Sequence, residues 1–218
     1  MPLHQERYRR MEAGLSAFRP RLVDPAVDKV TIAVKVRRTF EETSANYLSL
    51  MEHAETISEI SLEIAARINR GGCVMFCGNG GSAADSQHLA AELQGRFLKD
   101  RAPLAAVALS ANVSTLTAIG NDYGFDEVFE RQVRGLAKSG DVLIGISTSG
   151  NSKNIVRALN AAKLMGLYTV GLTGESGGAI SNYCSAIVRV PSKHTARIQE
   201  MHIGVGHMIC QIIEDALF

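Results

Sequence analysis

The sequence predicts an α/β domain in three layers, a doubly wound, five-stranded parallel sheet between helices, with an N-terminal helical extension. Three observations carry this. Beyond Gly71-Gly72, five short apolar runs alternate with stretches of helical period. The runs are nearly continuous rather than alternating in polarity, as strands covered on both faces are. Strand–helix alternation of this kind implies right-handed crossovers and parallel strands. A chain of 218 residues suits one such domain with an appendage.

Residues 1 to about 30 hold Pro2, Pro20 and Pro25 and no sustained period. They read as an extension with one short helix over Gln5–Phe18, or as an arm packing on a neighbouring subunit. The domain proper is expected over 31–218. Its first part, 31–70, is a helical appendage packed on the domain or on a neighbouring subunit. Within it Leu50, Ala54, Ile57, Ile60, Ile64 and Ile68 recur at intervals of three and four, one apolar stripe. The expected strands are Cys73–Cys77, Leu104–Leu109, Val142–Ile146, Tyr168–Leu172 and Ala186–Val190. Helices are expected over Ser82–Phe97, Val113–Ile119, Asp126–Ala137, Ser152–Met165 and Ala196–Leu217. No repeat of solenoid period and no low-complexity segment interrupts them.

Composition narrows the function classes. Lys plus Arg is 23 and Asp plus Glu is 22, a net charge of +1, which offers no general attraction to nucleic acid or anionic membrane. No stretch approaches the ~18 apolar residues of a membrane span, and the N-terminus has no signal-peptide core. Cys73, Cys77, Cys184 and Cys210 form no C-x-x-C pair, and they read as reduced thiols acting as small hydrophobes. A cytoplasmic enzyme is the expectation.

Ligands of open parallel sheets bind beyond the carboxyl ends of the strands. Two such ends are unusual here. Gly78-Asn79-Gly80-Gly81-Ser82 and Ser147-Thr148-Ser149-Gly150-Asn151-Ser152 each follow a strand and lead into a helix. Glycines admit close approach of an anion to the backbone, helix N-termini offer free N–H groups, and hydroxyls add donors without cations. Together these suit a phosphate monoester. The first loop lacks G-x-G-x-x-G spacing and the second lacks Gly-Lys-Ser/Thr, so dinucleotides and nucleoside triphosphates are disfavoured. The plain alternative is a pair of turns with serine helix caps.

Three further groups can do chemistry. His88 and Glu92 lie four apart on one helix face, where they chelate a divalent metal, act as base and orienting partner, or simply form an exposed polar pair. His207, among Val205, Met208 and Ile209, is expected to face packed structure, as a core histidine or as a site residue. Gln199 lies eight residues before it, about 12 Å along a helix axis. Both reach one site only if the helix start is irregular or the two come from different chains. Gly120-Asn121-Asp122-Tyr123-Gly124-Phe125 reads as a junction of turn formers, with Asn121 and Asp122 either making the turn or holding sugar hydroxyls.

In order along the chain, Cys77–Asp85, His88-x-x-x-Glu92, Gly120–Gly124, Ile146–Ser152 and Arg197-Ile198-Gln199-Glu200 resemble the phosphoheptose isomerases of the sugar-isomerase (SIS) domain family. The resemblance spans about residues 40–218. It implies conversion of sedoheptulose 7-phosphate to D-glycero-D-manno-heptose 7-phosphate, for the heptose of bacterial lipopolysaccharide. It also implies a homotetramer with composite active sites and one zinc ion per subunit. Carried over by position, His88, Glu92, Gln199 and His207 match the zinc site. Asn79, Gly80, Gly81 and Ser82 match the first substrate loop, and Ser147, Thr148, Ser149 and Ser152 the phosphate cradle. Asn121 and Asp122 match sugar contacts, as do Glu92 and Gln199, while Glu92 and His207 match the catalytic acid–base pair. In that chemistry Glu92 moves a proton from C1 to C2 through an enediol(ate), and His207 shuttles protons between O1 and O2. Zinc would polarise the carbonyl; either Glu92 alternates between ligand and base, or the metal is mainly structural. Ala196 stands where some members carry an acidic residue, which bears on fine substrate contacts.

Two other readings compete. A non-catalytic SIS relative binds the replication initiator DnaA, and Pro191–His202 resembles it too; that relative lacks counterparts of Glu92 and His207. Isomerisation of a pentose or hexosamine phosphate is the other, and the His88/Glu92 and Gln199/His207 set favours the heptose branch over it.

Overall fold

The structure, a computed structural model, describes residues 28–218. The expected helix over Gln5–Phe18 lies outside the described residues. Helices α1 (Lys29–Leu50) and α2 (Ala54–Asn69) lead into β1 (Val74–Gly78), α3 (Gly81–Gln94), β2 (Ala106–Ala108), α4 (Val113–Tyr123) and α5 (Glu130–Leu136). Then follow β3 (Val142–Ser147), α6 (Lys153–Leu164), β4 (Tyr168–Gly174), β5 (Ala186–Val190) and α7 (Thr195–Leu217). The chain divides into two compact units, Met1–Glu42 and Thr43–Phe218, with the boundary inside α1. In the first unit, every described residue of α1 is solvent-exposed, Val30, Ile32, Val34 and Phe40 included.

The second unit holds the sheet. All its strand pairs are parallel, in the order β2-β1-β3-β4-β5. Alternate side chains feed two cores. Val74, Phe76, Ile144, Ile146, Val170 and Leu172 pack under α2, α3 and α7 with Ile60, Leu89, Val205 and Ile209. Met75, Cys77 and Leu143 face the other way, onto Val133 of α5 and Ile155 and Leu159 of α6. Burial on both sides explains why the strands read as unbroken apolar runs. With this order the crossovers part to opposite faces between β1 and β3, and a crevice opens at their carboxyl ends. Gly78 pairs with Ile146 there, so the loops after β1 and β3 emerge side by side.

The structure corrects several element boundaries. The helical pattern over 32–69 is broken by a 3₁₀ turn at Met51–His53, which re-aims the stripe so that Leu50, Ile57, Ile60 and Ile64 are buried while Ala54 stays exposed. The second expected strand shrinks to Ala106–Ala108, because the Leu104 N–H is taken by the Leu93 carbonyl. Helix α3 stops at Gln94, before Gly95, rather than at Phe97. Gly120–Tyr123 is not a turn but the last part of α4, which ends at Gly124 with φ +94°. The stretch 126–137 splits into a 3₁₀ turn, Phe125–Glu127, and α5.

Candidate active site

The two loops beyond β1 and β3 enclose a cavity of about 290 Å³ lined by Asn79, Gly80, Gly81, Ser82, Ile146, Ser147, Thr148, Ser152, Thr195 and Gln199. Among the described residues no charged side chain lines it. Two helix N-termini open onto it, α3 beginning at Gly81 and α6 at Lys153. Neither carries a side-chain cap. Ser152 occupies the cap position of α6, yet its hydroxyl lies 3.1 Å from that of Ser147 instead of on the helix. The capping alternative therefore fails at Ser152. What remains is a neutral cradle of hydroxyls and helix N–H dipoles, which attracts an anion without a cation.

The cradle is stiffened from behind. The side-chain amides of Asn79 and Asn154 bond reciprocally, each at 2.9 Å, and tie the first loop to the start of α6. Asn154 is buried and also accepts the Ile155 N–H. Sequence reasoning missed Asn154; its only local signal is a poor helix former placed just inside a helix. Thr195 was missed as well. Gly81 has a packing reason: a Cβ there would come within 2.4 Å of Gln199 Nε2. The absent side chain lets Gln199 lie over the loop.

Two expected members stand apart. Ser149 is exposed and lies outside the cavity lining, its hydroxyl accepting the Asn151 N–H. Asn121 and Asp122 are exposed on α4, bonded to each other at 2.8 Å. Asp122 borders a different cleft, of about 570 Å³, with Thr115, Tyr123 and Arg131.

The second group is His88, Glu92 and His207, whose candidate ligand atoms all lie within 4.8 Å of one another. His88 Nε2 is 2.9 Å from Glu92 Oε1 and 3.4 Å from His207 Nε2. The i, i+4 spacing on α3 sets the first distance, and a close helix crossing sets the second. A Cβ on Gly206 would fall 2.5 Å from the Leu89 methyls, so the bare glycine seats α7 close on Leu89 of α3, next to both histidines. Two imidazole nitrogens on one tetrahedral ion, each ~2.05 Å from it, would be about 3.3 Å apart. The observed 3.4 Å fits, and two histidines with a carboxylate form a donor set for a divalent ion. Phe97 packs on the His207 ring, centroids 5.7 Å apart. Asp85 stands nearby, with a buried Oδ2 that finds no partner. Burial pushes its carboxyl up, against the opposing pull of His88 and His207.

Gln199 is not beside this group. It lines the cavity, while His207 lies eight residues further along the unbroken helix α7. The helix start is regular, so the first way of joining the two within one chain is gone. The buried histidine of α7 is His202, not His207. The His202 ring is fully buried beside the Thr173 backbone, whereas His207 is half-buried and Met208 exposed.

A parallel sheet with order 2-1-3-4-5, carrying an uncharged cradle of hydroxyls and helix N-termini at its switch point, defines a doubly wound α/β domain whose crevice suits a small anionic ligand. The profile of the SIS domain matches residues 39–174. The phosphoheptose isomerase of Rhodospirillum rubrum is 54% identical over 181 residues, 83% of this chain and 96% of that protein. Among solved structures, phosphoheptose isomerase from Neisseria gonorrhoeae superposes with a TM-score of 0.80 at 42% identity, covering 84% of this chain and 99% of that one. The enzyme from Francisella tularensis gives 0.81 at 36% identity, covering 84% and 98%. The chain belongs to the SIS domain family and, within it, to the phosphoheptose isomerases.

Proposed function

We propose that the protein interconverts sedoheptulose 7-phosphate and D-glycero-D-manno-heptose 7-phosphate, supplying heptose precursors of lipopolysaccharide. The observation that carries the reading is the uncharged cradle at the β1/β3 switch point, in a chain that also brings Glu92 and His207 together. Family membership at 54% identity to a phosphoheptose isomerase supports the choice of sugar.

In this reading the phosphate rests on the hydroxyls of Ser147, Thr148 and Ser152 and on the N-termini of α3 and α6. Ser149, whose hydroxyl accepts the Asn151 N–H, keeps its own O–H to donate to the phosphate. Asn79, Gly80, Gly81, Ser82 and Gln199 hold the sugar chain over the first loop. Glu92 takes the C1 proton as the C1–C2 double bond of the enediol forms, then returns that proton to C2. His207 carries a proton from O1 to O2, so that the carbonyl moves from C2 to C1. His88, bonded to Glu92, orients its carboxylate. The donor set fits zinc, held by His88, Glu92 and His207, with Gln199 as the fourth position that the resemblance implies. When bound, such an ion supplies positive charge beside the reacting oxygens.

Gln199 and His207 cannot meet within one regular helix, which supports a homotetramer whose sites are composite. Asn121 and Asp122, exposed and away from the cradle of their own chain, would then serve a neighbour's sugar. The exposed Val30, Ile32, Val34 and Phe40 of α1 are apolar surface for subunit contact. Among the described residues no helix is long and apolar enough to cross a membrane. A cytoplasmic location suits the substrate and the four free thiols.

The test is an isomerase assay on sedoheptulose 7-phosphate, with and without a zinc chelator. Conversion that falls on chelation and returns with zinc supports the reading. Conversion unaffected in protein shown by elemental analysis to be metal-free removes zinc. No conversion, with tight DnaA binding, would favour the scaffold reading, against which the presence of Glu92 and His207 now stands.

A further inference from the structure

The side chains of Arg101 and Glu214 are 1% and 2% exposed, an ion pair with Nε to Oε2 at 2.9 Å. Neither belongs to the cavity or to the His88–Glu92–His207 group. An isolated buried pair is a poor source of stability, so its further partners matter. Glu214, on α7, accepts the backbone N–H groups of Phe97, Leu98 and Lys99 at 3.1, 2.8 and 2.6 Å. Arg101 donates to the carbonyls of Glu92 and Leu93, each at 2.9 Å, and to that of Gly95 at 3.3 Å. Those carbonyls are the open C-terminal end of α3, which a guanidinium caps by charge as well as by hydrogen bonds.

The pair thus joins three pieces at one point. One is the last turn of α3, from the backbone of Glu92 itself. Another is the loop that presses Phe97 on the His207 ring. The last is α7, which carries His207. Burial raises the Glu214 carboxyl, but the three amides and the guanidinium outweigh it and hold its pKa down to about 2. The carboxylate therefore stays charged throughout the working range, as a fixed anchor.

We propose that Arg101 and Glu214 are positioning residues, whose buried pair sets Glu92 on α3 against His207 on α7. The role rests on the proposed isomerase reading, in which those two groups act on adjacent atoms of one substrate. Displacements of ~1 Å at such groups cost on the order of 10²-fold in rate. A residue that only stabilised the fold would not act selectively on this separation.

The experiment compares wild type with Glu214→Gln and Arg101→Lys, and with Asp141→Asn as control. Asp141 is also a buried carboxylate, accepting the Cys73 and Lys138 N–H groups at 2.8 Å, but at the amino ends of β1 and β3. All variants are measured at a temperature where circular dichroism shows them folded. Two readouts are taken: kcat and KM for sedoheptulose 7-phosphate, and zinc affinity by competition with a chromophoric chelator. Glu214→Gln is expected to lose about 10²-fold in kcat with KM within about twofold. Its zinc affinity falls about tenfold, since His88 and Glu92 come from one helix and His207 from the other. Arg101→Lys keeps the charge but not the fork onto Glu92 and Leu93, and loses both quantities to a lesser extent. If Glu214→Gln does not fold, Arg101→Lys carries the test. Wild-type kcat and zinc affinity in a folded variant overturn the proposal, and so does an equal loss of kcat in Asp141→Asn. If wild type converts no sugar, the isomerase reading falls, while the zinc readout still decides whether the pair sets the two helices.

Discussion

Two histidines on one helix serve opposite ends, and their surroundings decide which is which. His202 is sealed under α7 beside Thr173, and burial pulls its pKa from 6.5 down to about 4, against a smaller contribution from the Thr173 backbone. Between those two pH values the unfolded chain takes up a proton that the folded one refuses. Stability from this group is therefore complete above pH 6.5 and is lost as pH falls toward 4, on the order of 3 kcal/mol in all. Chemical denaturation of wild type and His202→Leu between pH 7 and 4.5 checks this; the pH slope should be shallower in the variant. His207, half-buried against His88 and Phe97, keeps part of its ring open, as the proposed proton shuttle requires. We expect His207→Gln to lower kcat by 10²-fold or more with little change in melting temperature, as general acid–base groups of this kind contribute ~10²–10⁴. The apolar neighbours of His207 leave it as either a core histidine or a site residue; the phase of α7 sends His202 into the core and sets His207 against His88 and Phe97.

At the scale of elements, α3 and α7 carry the proposed catalytic and metal-holding residues, and Gly206 lies where the two helices meet. Gly206→Ala is expected to displace the Leu89 side chain and, through it, widen the distance between His88 and His207. Zinc affinity should drop at least tenfold while the cradle still binds inorganic phosphate, a pair of readings available from one calorimeter. The strands were legible because both their faces are buried, which leaves an unbroken apolar run between glycine-rich turns. Helix ends were less so. Asn121 and Asp122 look like turn formers by type, yet they finish α4 because Gly124, not Gly120, ends it. The Arg101–Glu214 anchor had no signal at all: its members stand 113 positions apart, and only the fold makes them neighbours. The cradle, by contrast, was nearly all local, each loop being a run of glycines and hydroxyls next to a strand end.

For the whole molecule, the decisive fact is what one chain does not bring together. Gln199 and the cradle lie at one stretch of α7, and His207 two turns further on. If sites are shared, then two inactive variants, Glu92→Gln and a Ser147→Ala/Ser152→Ala double, should restore each other when unfolded and refolded as a mixture. Random assembly gives about a quarter of sites with both halves intact, provided the halves come from different subunits. A mixture as inactive as its components would place each site within one chain. Net charge of +1 fits the same picture, since the cradle offers an anion dipoles and hydroxyls rather than a basic face.

Isomerisation of a seven-carbon sugar phosphate turns on one proposed role, Glu92 as the proton carrier. Carbon NMR of sedoheptulose 7-phosphate incubated with folded wild type and folded Glu92→Gln tests it most directly. The aldose should appear with wild type and at least 10²-fold more slowly with the variant. No aldose from wild type, or an undiminished rate from Glu92→Gln, would contradict it.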